Sequence, residues 1–394
     1  MISVSAAKQK IDEYVSALNP VRLPLAEAAG KVLAQDVCSK VYVPGFQQSA
    51  MDGYAFSFAD WSSGAQLKIV GEHQAGTDQI ISIQKGEAVR IFTGAPLPTG
   101  ADTVVMQEKT SVLDSNLTIE DEKLIKAGNV RPAGSEIKKN ECALKSGDLL
   151  TPAAVGLLAA VGVDEVLVYP HPETTIIVTG KELMAPGQPL AYGQIYESNS
   201  FMLGAALRQA GIQRFGRSQA DDDLAILTSL LANALEKSDL VLLTGGISVG
   251  DYDFVLKAAE ACGVQQVFYK VKQRPGKPLF FGTASGKFVF GLPGNPASVL
   301  TCFYQYVLPA IARLSGRPNP LSARTGRLKN DYEKKHPLVH FLKGWYDDDT
   351  VAILEAQESY RLRSFARANC LIALDEAAKN YPAGASVTFY PLPF

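Results

Sequence analysis

The segment Phe290–Ser298, with the sequence FGLPGNPAS, restricts the backbone more than any other part of this chain. It lies between an apolar run that predicts a strand and a longer apolar run, Val299–Leu314, that predicts a helix. Its prolines and glycines fix the turn, and Asn295 followed by Pro296 is typical of a helix N-cap and first helical residue. A strand that turns directly into a helix exposes N–H groups that bind anions, although the same turn can be purely structural.

Three further glycine-rich turns follow predicted strands: Thr179–Leu183 (TGKEL), Thr244–Gly250 (TGGISVG) and Arg274–Pro278 (RPGKP). In open α/β sheets, ligands bind at the carboxyl ends of the strands, so the four turns predict one pocket. Its backbone N–H groups and Lys277 suit phosphate. Its carboxylates suit a hard cation such as Mg²⁺. These carboxylates are Glu182, Asp222, Asp251 and Asp253.

Composition excludes several protein classes. A chain of 394 residues accommodates two to four domains, and 47% hydrophobic with 20% charged residues is typical of a globular protein. The net charge of −2 gives no general attraction for nucleic acid or an anionic membrane, and no apolar run predicts a transmembrane helix. The five cysteines lie far apart without a CxxC pair, so we expect neither a disulfide framework nor a zinc site. These features predict a reduced, cytoplasmic protein without a redox-active cysteine.

The apolar patterns predict a multidomain α/β plus β protein. Residues 1–45 and 141–172 read as one split helical domain, with helices from Val4 to Asn19-Pro20, over Leu25–Leu33, and from Pro152 to Val161. Residues 46–140 read as an inserted small β domain. Its predicted strands are Leu67–Val70, Ala88–Ile91, Thr103–Met106 and Asn116–Ile119.

The third segment, residues 173–318, alternates strands with helices, which predicts a mostly parallel sheet with helices on both faces. The predicted strands are 174–178, 214–218, 240–243, 266–271, 279–281 and 288–290, and the helices are 198–210, 222–236, 253–261 and 297–314. Residues 319–394 contain short strands and turns, which predict a second small β domain.

One motif imitates a hydrolase signature. Residues 246–250 (GISVG) match the nucleophile-elbow pattern, but the histidines downstream, His336 and His340, lie in the predicted C-terminal β domain. A hydrolase triad is therefore disfavoured, and Ser248 is expected to present its hydroxyl to a phosphate or a pterin-like ring. The chain has no P-loop and no correctly placed Rossmann fingerprint.

The inserted β segment contains two turns that are open to two interpretations. Asp52-Gly53 is first a common turn pair, and only secondly a site carboxylate. The Gly/Pro-rich loop Arg90–Asp102 is either structural or an anion-binding loop with Thr93 as a donor. Asp221–Asp223 opens a predicted helix, where acidic residues stabilise the helix dipole.

Taken together, these motifs resemble the molybdopterin molybdenumtransferase family, which is similar to the C-terminal domain of gephyrin. They occur over nearly the whole chain in the family's order. The matching segments are SAMDGYA (49–55), RIFTGAPLPTGAD (90–102), TGKEL (179–183), PGQPL with GQIYESN (186–199), TGGISVGDYDF (244–254), RPGKP (274–278) and GLPGNPAS (291–298).

The resemblance implies a split helical domain, an inserted β domain, a three-layer α/β pterin-binding domain and a C-terminal β domain. It also implies an elongated homodimer whose site lies between protomers, with Asp52 and Thr93 of one protomer facing Glu182, Asp222 and Asp253 of the other. This favours a site role for Asp52 over a turn alone.

The implied reaction converts adenylyl-molybdopterin and molybdate into molybdenum cofactor and AMP, with Mg²⁺ required. Catalysis is assigned to Asp52, Thr93, Glu182, Asp222 and Asp253, and the last three are the candidate Mg²⁺ ligands. Substrate and phosphate binding are assigned to Thr179, Gly180, Gly245, Gly246, Ser248, Gly250, Gly294 and Asn295. Molybdate binding is assigned to Arg274, Lys277, Pro278, Ser298, Lys343 and Ser364.

The chain departs from the family pattern at three of these regions. Arg274 stands where lysine is common, Lys343 where arginine is common, and Asp251 where glutamate is usual. The alternatives are a non-catalytic molybdopterin-binding scaffold, an adenylyltransferase on the same α/β fold, and a phosphohydrolase. Transient contacts with other cofactor-synthesis enzymes are compatible with the family role.

Overall fold

The computed structural model describes residues 1–61, 66–221, 223–247, 254–377 and 379–393. The chain forms two compact units. The first combines Met1–Val21, Gly30–Ala34 and Val168–Phe394, and the second combines Arg22–Ala29 and Gln35–Leu167.

The helices begin where polar side chains and prolines favour a start. Ser3 accepts a hydrogen bond from Ala6 N at the start of the first helix, and Asp223 accepts one from Ile226 N at the start of the fourth. The helices are α1 Val4–Tyr14, α2 Pro152–Ala160, α3 Asn199–Gln209, α4 Leu224–Lys237, α5 Phe254–Ala261, α6 Pro296–Cys302, α7 Leu308–Leu314 and α8 Leu362–Phe365. Short 3₁₀ turns cover Leu25–Glu27 and Gln107–Lys109, and a π segment, Phe303–Val307, joins α6 to α7. In the part of the chain that the structure describes, none of these helices is long and apolar enough to cross a membrane.

The strands are short except at the sheet centres. Those before residue 170 are β1 Val21–Pro24, β2 Val32–Leu33, β3 Val37–Cys38, β4 Gln48–Ser49, β5 Gly53–Phe56, β6 Gln66–His73, β7 Glu87–Ile91, β8 Thr103–Met106, β9 Thr110–Leu113, β10 Asn116–Ile119, β11 Val130–Arg131, β12 Cys142–Leu144 and β13 Glu165–Tyr169. The later strands are β14 Thr174–Thr179, β15 Leu183–Met184, β16 Ile195–Tyr196, β17 Gly216–Ala220, β18 Leu240–Thr244, β19 Gln265–Tyr269, β20 Gln273–Arg274, β21 Phe280–Ala284, β22 Lys287–Leu292, β23 Arg324–Leu328, β24 Tyr332–Lys334, β25 Val339–Asp347, β26 Thr350–Ile353, β27 Cys370–Leu374, β28 Lys379–Tyr381 and β29 Ser386–Pro391.

The central sheet of the first unit has the order β17-β14-β18-β22-β21-β19. Its first four strands are parallel, and β21 and β19 are antiparallel additions at one edge. Alternate residues of β18 pack into different cores: Leu242 lies with residues of α3, α6 and α7, and Leu243 lies with residues of α4 and α5. The sheet is thus covered on both faces, which is why its central strands are apolar throughout.

The C-terminal part of the same unit contains a sheet that closes on itself. Its order is β20-β25-β26-β23-β29-β27, and β27 also pairs with β25. A buried apolar cluster, with Leu342, Ile372 and Phe389 at its centre, fills this sheet. Because β20 pairs in parallel with β25, the segment that follows the α/β strand β19 is part of this second sheet.

The second unit is built on a mixed six-stranded sheet with the order β8-β5-β7-β6-β10-β9. Neighbouring residues of β5 face different cores, since Ala55 packs with Ile91 and Val104, whereas Phe56 packs with Leu67 and Val105. This alternation is the period-two pattern that the sequence predicts for strands.

The predicted helix over Leu25–Leu33 is wrong. The segment forms a 3₁₀ turn at Leu25–Glu27 and then the strand β2, which pairs with β13. Gly30 has a φ of +76°, which ends any helical path, and the apolar pair Val32-Leu33 is buried by strand pairing. Several predicted boundaries also shift, and the helix predicted at 297–314 is divided by the π segment Phe303–Val307. Helix α1 ends at Tyr14 because Val15 is extended, and the strand predicted at 214–218 lies at Gly216–Ala220.

Candidate functional site

A cleft of about 1080 Å³ lies at the carboxyl ends of the four parallel strands β17, β14, β18 and β22. Each strand runs into a segment that lines it, as expected of an open α/β sheet. The lining residues that were predicted as site residues are Thr179, Gly180, Glu182, Gly245, Gly246, Pro278, Gly294 and Asn295. The structure therefore brings together residues from all four glycine-rich turns.

The turn after β18 requires glycine at two successive positions. Gly245 and Gly246 have φ values of +86° and +61°, a left-handed conformation that disfavours side chains. A Cβ atom on Gly245 would lie 2.2 Å from the carbonyl oxygen of Thr179, and one on Gly246 would lie 2.8 Å from its Oγ1. The two turns thus pack backbone against backbone. The Thr179 hydroxyl is buried at the cleft without a hydrogen-bond partner among the described residues.

Asn199 joins two of the glycine turns from the start of α3. Its Nδ2 donates to Thr244 Oγ1 at 3.0 Å and to the carbonyl oxygen of Gly294 at 2.8 Å. Thr244 in turn donates to the carbonyl oxygen of Pro293 at 3.1 Å. The ends of β18 and β22 are therefore fixed relative to each other. The Asn199 Oδ1 atom is buried with no partner in the described part of the chain, and is available to a ligand donor.

Glu197 supports the first turn of α3 beneath Asn199. It is 2% exposed, accepts hydrogen bonds from the backbone N and the hydroxyl of Ser200, and pairs with Arg217 at 2.9 Å. The Arg217 guanidinium also lies 4.1 Å from the ring centroid of Phe201. The Glu197 carboxylate thus joins the first turn of α3 to β17, and this network supports the cleft wall.

Of the predicted metal ligands, the structure describes Glu182 but not Asp222 or Asp253. Glu182 is exposed on the cleft, and Asp221, which had been assigned only a helix-start role, also lines it. Asp222 and Asp253 lie outside the described residues, as do Ser248, Gly250 and Asp251. Among the described residues, no three His, Cys, Asp or Glu side chains form a metal-binding group.

The segment 291–298 forms the predicted strand–turn–helix. Asn295 is the N-cap of α6 and Pro296 is its first residue, as predicted, but the Asn295 side chain does not cap the helix. Its Nδ2 donates instead to Ser359 Oγ at 2.8 Å, and the carbonyl oxygen of Ser359 accepts from Ala297 N at 3.0 Å. The loop around Ser359 therefore covers the start of α6. Ser298 is buried in the first turn.

The Arg274–Pro278 turn packs against α6. The Arg274-Pro275 peptide bond is cis, and a Cβ atom on Gly276 would lie 2.5 Å from the Cys302 sulfur. Arg274 and Lys277 are both exposed, and Pro278 lines the cleft. Arg274 instead lines a second pocket of about 400 Å³ with Tyr332, His336 and His340.

Lys343 in β25 and Ser364 in α8, two residues predicted to bind molybdate, both hold the same loop. The Lys343 ammonium donates to the carbonyl oxygens of Ala356 (2.6 Å), Glu358 (3.3 Å) and Arg361 (3.1 Å). Ser364 Oγ donates to the same Ala356 oxygen at 2.8 Å. Burial lowers the pKa of Lys343. In this arrangement the two side chains position the loop that contains Ser359.

Asp52 and Thr93 lie together in the second compact unit. Asp52 Oδ1 accepts hydrogen bonds from the backbone N and the hydroxyl of Thr93, each at 2.8 Å. These bonds, the backbone one first, lower the pKa of Asp52, and nearby Arg90 lowers it further. Arg90 donates to the carbonyl oxygen of Gly53 at 3.2 Å and to the side chain of Gln107. Asp52 is thus an ionised, exposed carboxylate in a fixed orientation.

Several cleft residues were not assigned site roles from the sequence, among them Asn199, Glu197 and Tyr360. Asn199 and Glu197 lie in the quoted segment GQIYESN, whose only local signal is two polar residues near a helix start. Tyr360, which is 60% exposed at the cleft, lies far away in sequence and gives no signal at all.

Three family profiles match the chain in succession. The profile described as the MoeA N-terminal region (domain I and II) matches residues 2–162. The profile described as a probable molybdopterin binding domain matches residues 175–313, and that of the MoeA C-terminal region (domain IV) matches residues 325–392.

Curated proteins and solved structures resemble the chain over its whole length. A molybdopterin molybdenumtransferase from Haemophilus influenzae is 35% identical, over 99% of this chain and 98% of that protein. Molybdopterin molybdenumtransferase 2 from Mycobacterium tuberculosis is 33% identical over the full length of both. The crystal structure of the molybdopterin biosynthesis moea protein from Pyrococcus horikosii covers 99% of both chains at 29% identity, with a TM-score of 0.83.

Proposed function

Because the chain belongs to the MoeA family of molybdopterin molybdenumtransferases, it inserts molybdenum during molybdenum cofactor synthesis, and we propose that adenylyl-molybdopterin and molybdate are its substrates. The products are then molybdenum cofactor and AMP. The cleft at the carboxyl ends of β17, β14, β18 and β22 is the observation that carries this proposal, because it combines phosphate-binding turns with carboxylates.

The cleft residues suit a substrate that contains a pterin and a phosphoanhydride. The turns at Gly245 and Gly294 have no side chains that would block a phosphate from approaching the backbone, whereas the Gly180 N–H already donates to the carbonyl oxygen of Ala220 at 3.2 Å. The Thr179 hydroxyl and the Asn199 Oδ1 atom have no hydrogen-bond partner among the described residues, so the first would donate to a phosphoryl oxygen and the second would accept from a donor on the ligand. Asn199 thereby keeps two of the turns at a fixed separation while it contacts the substrate.

The proposed Mg²⁺ ligands are Glu182, Asp222 and Asp253. Carboxylate oxygens are the donors that Mg²⁺ prefers, and Glu182 is exposed on the cleft with Asp221 also in its lining. A bound Mg²⁺ would neutralise charge on the phosphoryl group. As a ligand of that Mg²⁺, Glu182 would hold the cation beside the turn at Gly180, whose Cβ position lies only 3.0 Å from the Glu182 carboxylate.

Molybdate binding is proposed for the segment between the Arg274–Pro278 turn and the start of α6. Arg274 and Lys277 are exposed cations on that turn. Pro278, on the same turn, and Ser298, which is buried in the first turn of α6, are also proposed to contact molybdate. Lys343 and Ser364 contribute through the loop that they hold, whose Ser359 contacts Asn295 and Ala297. Molybdate is a small dianion, so paired cations next to a helix start suit it.

Asp52 and Thr93 are proposed to act on the substrate held by the partner protomer of a homodimer. Their mutual hydrogen bonds keep the carboxylate ionised and oriented, as a group that positions a nucleophile must be. The protein is proposed to act in the cytoplasm, in transient contact with other cofactor-synthesis enzymes.

The first experiment incubates the purified protein with adenylyl-molybdopterin and Mg²⁺, with and without micromolar molybdate. AMP release and active cofactor are measured. Molybdate-dependent release of AMP with cofactor formed supports the proposal. Release of AMP without any molybdate dependence would indicate a phosphohydrolase, and tight binding without turnover would indicate a scaffold.

The matched variants are Glu182→Gln, Asp52→Asn and Asp253→Ala, which should abolish cofactor formation. Glu236→Gln is the control, because Glu236 is an exposed carboxylate in the last turn of α4, away from the cleft lining. Wild-type activity in Glu182→Gln would overturn the assignment of that carboxylate.

A further inference from the structure

Cys38 and Cys142 face each other across two antiparallel strands. They are direct partners in the pairing of β3 with β12, although 103 residues separate them in the sequence. The neighbouring pair is joined by a hydrogen bond from Ser39 N to the carbonyl oxygen of Glu141 at 2.9 Å. Cys38 and Cys142 therefore occupy the adjacent non-hydrogen-bonded position, where opposite side chains approach most closely.

A regular non-hydrogen-bonded position has the backbone spacing of a disulfide, and the register shift in this pairing falls beyond it, between Cys142 and Leu144. Opposite Cα atoms at such a position are about 4.5 Å apart, within the roughly 4.4–6.8 Å that disulfides span. Both cysteines are reduced and exposed to solvent, so an oxidant can reach them. The Cys142 thiol donates to the carbonyl oxygen of Leu144 at 3.3 Å, and that contact is the one it would give up on oxidation.

The remaining cysteines lack this arrangement. Cys302 and Cys370 are buried, and burial raises the pKa of each thiol to about 12, which makes them unreactive. Cys262 is half-buried and donates to the carbonyl oxygen of Thr228 at 3.4 Å. Partial desolvation raises the pKa of the Cys142 thiol, and Cys38 and Asp36 add to that effect.

We propose that Cys38 and Cys142 form a reversible disulfide through exchange with a low-molecular-weight disulfide such as oxidised glutathione. The Cys38 thiolate attacks one sulfur of oxidised glutathione, forms a mixed disulfide and releases one glutathione thiolate. The Cys142 thiol loses its proton to solvent, attacks the Cys38 sulfur and releases the second glutathione. Two protein thiols and one glutathione disulfide thus become one protein disulfide and two glutathione thiols.

The disulfide would join the two ends of the segment 39–141, which lies within the second compact unit. This closed segment contains the mixed six-stranded sheet and the Asp52–Thr93 pair. A link between the two ends of so long a segment removes many conformations from the unfolded chain, so oxidation should stabilise the unit. The inference stands on the β3–β12 pairing and is independent of the proposed reaction.

The test equilibrates the full-length protein with glutathione buffers of increasing oxidised fraction, then alkylates free thiols and maps peptides by mass spectrometry. The expected result is a peptide pair joined through Cys38 and Cys142, loss of both thiols together, and full recovery with reductant. The oxidised protein should also unfold at a temperature higher by roughly 5 °C.

The variants Cys38→Ser and Cys142→Ser should each prevent the linkage and leave a stable glutathione adduct on the remaining cysteine. Cys262→Ser is the matched control and should oxidise like the wild type. Separate glutathione adducts on Cys38 and Cys142 in the wild type, or a disulfide between two chains on a non-reducing gel, would overturn the proposal. An unchanged unfolding temperature with the linkage formed would overturn its stabilising role.

Discussion

At the scale of single residues, Thr93 sets the charge of Asp52 through two hydrogen bonds. Removal of the hydroxyl in Thr93→Val leaves the backbone bond, which is the larger cause of the lowered pKa. We expect the pKa of Asp52 to rise partway towards its ordinary value. Since the proposed role of Asp52 requires the ionised form, we expect activity to be lost as pH falls through this pKa. The acidic side of the pH–activity profile should therefore move to higher pH in the variant.

The measurement is a carboxyl-carbon NMR titration of Asp52, combined with kcat/KM as a function of pH. Thr93→Ser keeps the hydroxyl and is the matched control. At neutral pH, Thr93→Val should lower kcat/KM by roughly 10-fold through poorer orientation of the carboxylate. An unmoved pKa together with a large loss of activity would assign Thr93 a direct contact with substrate.

Gly245 gives a second prediction at this scale, because its turn tolerates no Cβ atom. In Gly245→Ala the new methyl group would lie 2.2 Å from the backbone oxygen of Thr179, in addition to the cost of the positive φ. We expect a loss of roughly 3 kcal/mol or more in the free energy of unfolding, since the two turns must separate.

Gly187 is the matched control, because its φ of +91° is similar but no atom lies within 4 Å of its Cβ position. Gly187→Ala should therefore cost only about 1 kcal/mol. Urea denaturation of both variants separates steric conflict from backbone strain. Equal losses would mean that contact between the β14 and β18 turns adds nothing.

At the scale of elements, Lys343 connects strand β25 to the loop that covers the start of α6. Lys343 is 4% exposed, and its ammonium donates to three carbonyl oxygens of residues 356–361. In Lys343→Met these oxygens lose their donor, which should lower stability by about 2–3 kcal/mol. The KM for molybdate should rise as the loop releases Asn295 and Ala297.

Lys335→Met is the control for this change. Lys335 is an exposed lysine whose ion pair with Glu333 is a surface contact, so its removal should alter stability by less than about 0.5 kcal/mol. Thermal unfolding and molybdate-dependent kinetics are compared for both variants. A raised KM in Lys343→Met without any loss of stability would indicate that Lys343 contacts molybdate directly.

Elements with a strong local pattern could be predicted from the sequence, and those defined by a distant partner could not. The strand β18 and the helix α4 follow from uninterrupted or periodic apolar residues. The pattern at Leu25–Leu33 suited a helix equally well, and only the pairing of Val32-Leu33 with β13 decides otherwise. Similarly, Asn295 was recognisable as an N-cap, but its side-chain bond to Ser359 depends on a loop from another sheet.

At the scale of the whole molecule, the fold brings together residues whose distance in the sequence prevented their contacts from being predicted. No disulfide was expected from the sequence, because the five cysteines lie far apart in it. The pairing of β3 with β12 nevertheless places Cys38 opposite Cys142. The cleft was predictable because parallel strands bring their carboxyl ends to one edge whatever their spacing. Tyr360 could not be predicted as a cleft residue, because it lies in the loop between β26 and α8 and no rule of sheet topology brings that loop to this edge.

The proposed division of the site between two protomers makes a prediction about mixed dimers. Asp52 belongs to one compact unit and Glu182 to the other, so each chain would supply half of two different sites. A dimer of one Asp52→Asn chain and one Glu182→Gln chain would then contain one site with both substitutions and one with neither. Differently tagged chains, co-expressed and purified through both tags, should regain about half of wild-type activity, whereas each variant homodimer stays inactive. If each site belonged to a single chain, every site in the mixed dimer would carry one substitution, and the activity would stay at that of the homodimers. Recovery of activity in the mixed dimer therefore requires that Asp52 of one protomer acts on substrate held by Glu182 of its partner.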